Sequence, residues 1–208
     1  MAVTRSLSTL IFDLGNVVIT WDPRPALPEQ YTGQDAEDLL TRLDFFTRNA
    51  DHDAGKPFAE WVADLRSSGD AEGADALQHY VDHFDRSLVG LVRGTSQLID
   101  DLKAAGVTLY ALTNWSAETF HHAQAAAPAL AQFDDILVSG EEGIAKPNPE
   151  IYTRALERWD LDVRTTGFLD DSEANIAGAE SVGLTTHLFT NAVDARAWAR
   201  DMTGAAGV

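Results

Sequence analysis

The sequence predicts an α/β fold: a Rossmann-like parallel sheet flanked by helices, with a small helical bundle inserted after the first strand. Three observations predict it. From residue 94 onward, short apolar runs alternate with helix-period segments, the pattern of strands joined by crossover helices. One more apolar run, residues 7–12, stands alone near the N-terminus. Between the two, residues 21–92 carry apolar side chains at helical spacing and no strand pattern.

Taken in order, residues 7–12 read as a buried strand running into Asp13-Leu14-Gly15-Asn16, a turn signal. Leu39, Leu40 and Leu43, then Phe58, Trp61, Val62 and Leu65, mark amphipathic helices, with another over 77–84. Asp51-His52-Asp53-Ala54-Gly55 reads as a polar connection between two of them. Beyond Gly94 the expected order is helix 97–105, strand 107–113, helix 117–127, strand 136–139, helix 149–159, strand 166–171, helix 173–182, strand 185–189 and helix 193–202. The division is a core of 1–18 and 92–208 and an inserted domain of 19–91. The insert belongs over the C-terminal ends of the strands, where open α/β sheets bind ligands. Its tethers, near 19–23 and 90–95, are expected hinges, with Gly90 and Gly94 as pivots.

Composition narrows the function. The 208 residues are enough to bury a core without staples. A formal net charge of −18 argues against binding a nucleic-acid backbone or an anionic membrane. No apolar stretch is long enough to span a bilayer, and residues 1–12 lack a signal-peptide pattern, so a cytoplasmic protein is expected. The absence of cysteine excludes disulfides, thiolate zinc sites and a cysteine nucleophile. Oligomeric state is not readable.

Four features fall at expected strand ends: Asp13, Thr113-Asn114, Lys146-Pro147 and Asp170-Asp171. Each alone has an ordinary reading as a turn former, a helix cap or a surface lysine. A parallel sheet, however, brings all four to one edge. The two carboxylate sites then repel unless a cation sits between them, and Lys146 with a divalent metal would supply it; oxygen donors suit Mg2+. Trp115 falls near the mouth of such a site as a hydrophobic wall. His121 and His122, adjacent in a helix, share no face and make no zinc pair.

The order Phe-Asp-Leu-Gly-Asn-Val (12–17), Leu-Thr-Asn (112–114), Gly-Ile-Ala-Lys-Pro-Asn-Pro (143–149) and Phe-Leu-Asp-Asp-Ser-Glu-Ala-Asn-Ile-Ala-Gly-Ala (168–179) resembles the four motifs of the haloacid dehalogenase superfamily. The helical insert resembles its C1-type cap. The first motif is similar to a bacterial subgroup that includes sugar-phosphate phosphatases, among them a glucose-1-phosphate phosphatase. The resemblance implies a hydrolase in which Asp13 forms an aspartyl-phosphate, Thr113 and Lys146 assist, and Asn114, Trp115 and Asn175 meet the substrate, a small phosphorylated metabolite. It implies Mg2+ held by Asp13, Gly15, Asp170 and Asp171.

One position departs from the family pattern. Its phosphatases carry a second aspartate two residues after the nucleophile, as general acid and base; here that residue is Gly15. A backbone carbonyl remains for the metal, but proton transfer is lost, and Asp22, Asp51, His52 and Asp53 are the candidate replacements. Two other readings stay open: a metal-independent 2-haloacid dehalogenase, and a phosphate-ligand-binding protein with little turnover.

Overall fold

The computed structural model describes residues 6–205 and 208. Residues 1–5, where the leader reading begins, lie outside them. The first strand, β1 (Thr9–Phe12), is followed by β2 (Ile19–Trp21). Four helices come next: α1 (Gln34–Arg42), α2 (Phe45–Asp53), α3 (Phe58–Ser67) and α4 (Ala71–Asp82). Then come β3 (Leu88–Leu91), α5 (Thr95–Ala104), β4 (Thr108–Thr113), the short α6 (Ala123–Ala126), β5 (Asp135–Val138) and the short α7 (Ser139–Glu142). The chain continues with α8 (Pro149–Arg158), β6 (Thr166–Asp170), α9 (Glu173–Ser181), β7 (Thr185–Leu188) and α10 (Ala192–Thr203).

Five strands form one parallel sheet in the order β5-β4-β1-β6-β7. The strand order reverses at β1, and the crevice beyond its C-terminal end is where such sheets bind ligands. All four residues of β1 are buried. Because strand side chains alternate, Leu10 and Phe12 enter one core and Ile11 the other. The first core continues through Leu98, Ile99 and Leu102 of α5 into the inserted helices; the second packs Ile151, Tyr152 and Ala155 of α8 on Phe168 and Ala179.

Three expectations are corrected. Residues 21–92 were expected to hold no strand, yet β2 and β3 pair antiparallel, with an irregularity at Thr20/Trp21. They are three and four residues long, too short for alternation to show. They form a paired ribbon joining the insert to the sheet domain, where two loose tethers were expected. The expected helix 117–127 is broken into a 3-10 turn, Phe120–His122, and α6, so His121 and His122 do not sit in a regular α-helix. Ser116 Oγ accepts from the Glu118 amide and Thr119 Oγ1 from the Trp115 indole, local bonds that compete with the helix. The third correction is the polar connection: Asp51, His52 and Asp53 form the last turn of α2.

Candidate active site

Asp13 directly follows the central strand. Its amide donates to the Leu169 carbonyl at 2.9 Å, which extends the β1–β6 ladder one residue and fixes the side chain's origin. Lys146 arrives from the loop before α8 with a fully buried side chain. Its ammonium donates to Asp13 Oδ1 at 2.7 Å, Asp170 Oδ2 at 2.6 Å and the Leu112 carbonyl at 2.8 Å, so all three protons are used. Burial alone would lower the Lys146 pKa; Asp13 and Asp170 outweigh it and hold the ammonium above its usual value. Asp13 is pushed up to about 7 by burial, against the pull of Lys146 and with Asp170 and Asp171 adding to the rise.

Asp170 ends β6 and has no exposed surface. Its Oδ1 accepts from the Ser172 amide at 2.9 Å, and Asn175 Nδ2 donates to both its oxygens at 3.0 and 3.1 Å. Asn175 therefore braces Asp170 while also lining the cavity described below. Asp171 is exposed as a residue, but neighbouring atoms partly shield its carboxyl from water, and this desolvation followed by the Asp170 charge raises its pKa. Carboxylate oxygens of Asp13, Asp170 and Asp171 lie within 4.8 Å of one another.

Asn114 locks the lysine loop: its Nδ2 donates to the Lys146 carbonyl at 2.9 Å, and the Lys146 amide donates to its Oδ1 at 2.8 Å. The loop also approaches α9 closely. A Cβ on Gly178 would lie 2.5 Å from the Pro147 carbonyl oxygen, so only glycine permits this packing. The Thr113 hydroxyl is buried and has no hydrogen-bond partner.

These groups floor a cavity of about 200 Å³. Asp13, Gly15, Asn114, Trp115, Lys146, Asp171 and Asn175 line it, whereas Thr113 and the enclosed Asp170 do not. The inserted helices and the ribbon supply the opposite wall: Trp21, Asn49, Asp53, Tyr80 and Phe84. Of these, only Asp53 is anticipated by the sequence. Asn49 and Asp53 lie at i,i+4 on α2, as do Tyr80 and Phe84 from α4 into the following turn; that shared-face spacing is the one signal that marks them. Trp21 Nε1 and Tyr80 Oη are buried and make no hydrogen bond of good geometry; Trp21 and Ser87 are the polar neighbours of the Tyr80 hydroxyl.

The other three proton-transfer candidates fall elsewhere. Asp22 is held by Arg24 at 2.8 and 2.7 Å, which lowers its pKa, and is outside the cavity. Asp51 is exposed. His52 is buried between Phe58 and Trp61, its ring stacked on both, and its Nδ1–H donates to the Lys56 carbonyl at 2.7 Å. Burial lowers its pKa, so it is a neutral packing residue.

A parallel sheet with a carboxylate at its central strand end, a buried lysine, two further acids and inserted helices facing them marks the chain as a hydrolase of the α/β class. The chain belongs to the haloacid dehalogenase-like hydrolases, whose family model matches residues 7–183. It is 28% identical to a sesquiterpene phosphatase of Aspergillus oryzae over 84% of this chain and 85% of that protein. It is 29% identical to the protein CbbY of Rhodobacter capsulatus, covering 86% and 83%. Among solved structures, a haloacid dehalogenase family enzyme of Bacteroides thetaiotaomicron superposes with a TM-score of 0.69 at 22% identity, covering 88% of this chain and 93% of that one. The same enzyme is also solved in complex with magnesium and inorganic phosphate. Among the described residues no helix is long and apolar enough to cross a membrane.

Proposed function

We propose that the chain is an Mg2+-dependent phosphatase that hydrolyses a small phosphomonoester through an aspartyl-phosphate on Asp13. The observation that carries this reading is the charge of the cavity floor. Three carboxylates cluster around the floor, two of them bonded to the one ammonium, and Lys146 is the only basic residue lining the cavity among the described residues. Two unit charges at such a spacing repel by roughly 3 kcal/mol at an effective dielectric near 20. A phosphate dianion adds to that repulsion, so binding it calls for a further cation. The donor set is all oxygen, which fits Mg2+ and not a metal that prefers nitrogen or sulfur. Asp13, the Gly15 carbonyl, Asp170 and Asp171 would hold the ion. When bound, it neutralises charge on the transferring oxygens.

The chain's own groups do the rest. Asp13 attacks phosphorus, and Lys146 orients it and offsets its charge. Thr113 lies just beneath the floor, and its unpartnered hydroxyl is the donor available to a phosphate oxygen that seats against Asp13. Asn114 acts by position, since its side chain is spent on the Lys146 backbone. Trp115 and the aromatic wall opposite receive the organic part of a small phosphorylated metabolite. The phosphatase named among the relatives supports this chemistry. The crowded acids weigh against a 2-haloacid, whose own carboxylate would meet the floor with no added cation.

Hydrolysis of 4-nitrophenyl phosphate with Mg2+ or with chelator, by wild type and Asp13→Asn, tests the reading. The expected result is metal-dependent release that falls by at least about 10⁴-fold in the variant. Halide release from a 2-haloacid in the presence of chelator would overturn it. So would phosphate binding without turnover.

A further inference from the structure

We propose that Asp53, on the last turn of α2, is the general acid and base of this site, touching the leaving-group oxygen from the insert side of the cavity. This rests on the phosphatase reading above. The need for such a group comes from Gly15, which has no side chain to move a proton and stands beside Asp13, the nearest atom to its would-be Cβ being Asp13 Oδ2 at 4.0 Å. The remaining acids of the floor are committed to Lys146 or grouped with Asp13 around the charge-dense centre. Asp53 is the one carboxyl on the wall that faces them.

Its placement is built by close backbone contacts. Ser139 Oγ donates to the Asp53 carbonyl at 2.5 Å and accepts from the Trp115 amide at 2.9 Å. A Cβ on Gly55 would meet the Gly140 carbonyl oxygen at 3.1 Å, and one on Gly140 would meet the Ala117 amide nitrogen at 2.4 Å. The end of α2 is thus seated on the start of α7, which in turn packs on the loop after β4 that carries Asn114 and Trp115. Asn49 Nδ2 donates to Asp53 Oδ2 at 3.1 Å, which holds the carboxyl in one rotamer.

The environment suits the role. Burial pushes Asp53 up to about 7, while the Ser116 amide, Asn49 and the more distant Lys146 charge pull the other way. Tyr80, on α4, is the other titratable side chain that interacts with it, and burial keeps its phenol above the usual range. A carboxyl titrating near neutrality gives and takes a proton at working pH.

The proton balance is complete. As Asp13 bonds to phosphorus and the ester P–O bond breaks, protonated Asp53 gives its proton to the departing oxygen, releasing the alcohol. Asp53, now a carboxylate, then takes a proton from water as that water's oxygen attacks phosphorus. The Asp13–phosphorus bond breaks, phosphate leaves, and both aspartates return to their starting states.

The test compares kcat/KM of wild type, Asp53→Asn and Asp53→Asn/Gly15→Asp across aryl phosphates of rising leaving-group pKa and one alkyl phosphate, with Mg2+. Expected is a loss in Asp53→Asn that grows with leaving-group pKa, small for 4-nitrophenyl phosphate and reaching about 10²–10⁴-fold for the alkyl ester. The wild-type profile for poor leaving groups should fall as pH rises through about 7, and this limb should vanish in Asp53→Asn. Gly15→Asp should restore alkyl-ester activity in the double variant, which also shows that Asp53→Asn folds. A loss equal for all leaving groups, or an unchanged pH limb, would overturn the assignment while leaving the phosphatase reading intact. Wild type inert toward every ester would remove both.

Discussion

The two walls of the cavity are built differently. On the sheet edge, functional groups are held several times over. Lys146 has three acceptors, Asp170 accepts from Ser172, Asn175 and Lys146, and Asn114 and Lys146 bond reciprocally. On the inserted wall Asp53 is held by Asn49 and the Ser116 amide, and the polar atoms of Trp21 and Tyr80 make no hydrogen bond of good geometry. The floor is preorganised for charge that appears during reaction. The insert presents more loosely held polar groups, and the proposed function would use them to receive the leaving group apart from the charged floor.

Breaking the floor should have the larger effect. Lys146→Met leaves Asp13 and Asp170 buried without the ammonium between them. Removing one partner of a buried ionic cluster costs about 3–5 kcal/mol. Thermal melting in metal-free buffer should show that loss, with part of it recovered on adding Mg2+. An unchanged Tm would mean the carboxylates adapt by protonation alone, and the contrast between rigid floor and adaptable wall would fail.

Asp53→Asn probes the wall through stability, without any substrate. In the folded chain burial pushes the Asp53 carboxyl up to about 7 from the ordinary 3.8. Below the lower value both folded and unfolded chains carry the proton, and the site costs nothing. As pH rises between the two values the unfolded chain ionises first, so stability is lost progressively; above about 7 the loss is constant. The variant has no such penalty. Its stability, followed by thermal melting, should gain on wild type from pH 4 to pH 8, by roughly 1–3 kcal/mol after allowance for screening in an open cavity. A constant difference across that range would place Asp53 in an ordinary solvated environment.

The sheet edge was legible because its logic is topological. Parallel strands send every C-terminal end to one side, so Asp13, Asn114, Lys146 and Asp170 could be brought together from chain order alone. The wall was less legible because helix faces, not strand ends, aim its residues. Asp51-His52-Asp53 looks like a loop by polarity; it is helical because His52 is buried against Phe58 and Trp61, which turns Asn49 and Asp53 toward the cavity. Tyr80 reads as one more core aromatic of α4, and edge contacts with Phe45 and Phe84 agree with that. Only its hydroxyl, buried beside the cavity with no hydrogen bond of good geometry, gives it a second meaning.

That second meaning can be isolated by the smallest change. Tyr80→Phe keeps the ring and its packing and removes one oxygen. If the hydroxyl waits for a ligand, the free protein pays for an unsatisfied buried group and should gain up to about 1 kcal/mol on losing it. Substrate binding should then weaken by about three- to tenfold, the net worth of an ordinary hydrogen bond, appearing in KM with kcat little changed. The two effects have opposite signs, which separates this case from a packing defect, where stability and affinity fall together. A lower Tm with unchanged KM would assign the hydroxyl to the fold. The inserted wall would then recognise its ligand through shape and the Asp53 carboxyl alone.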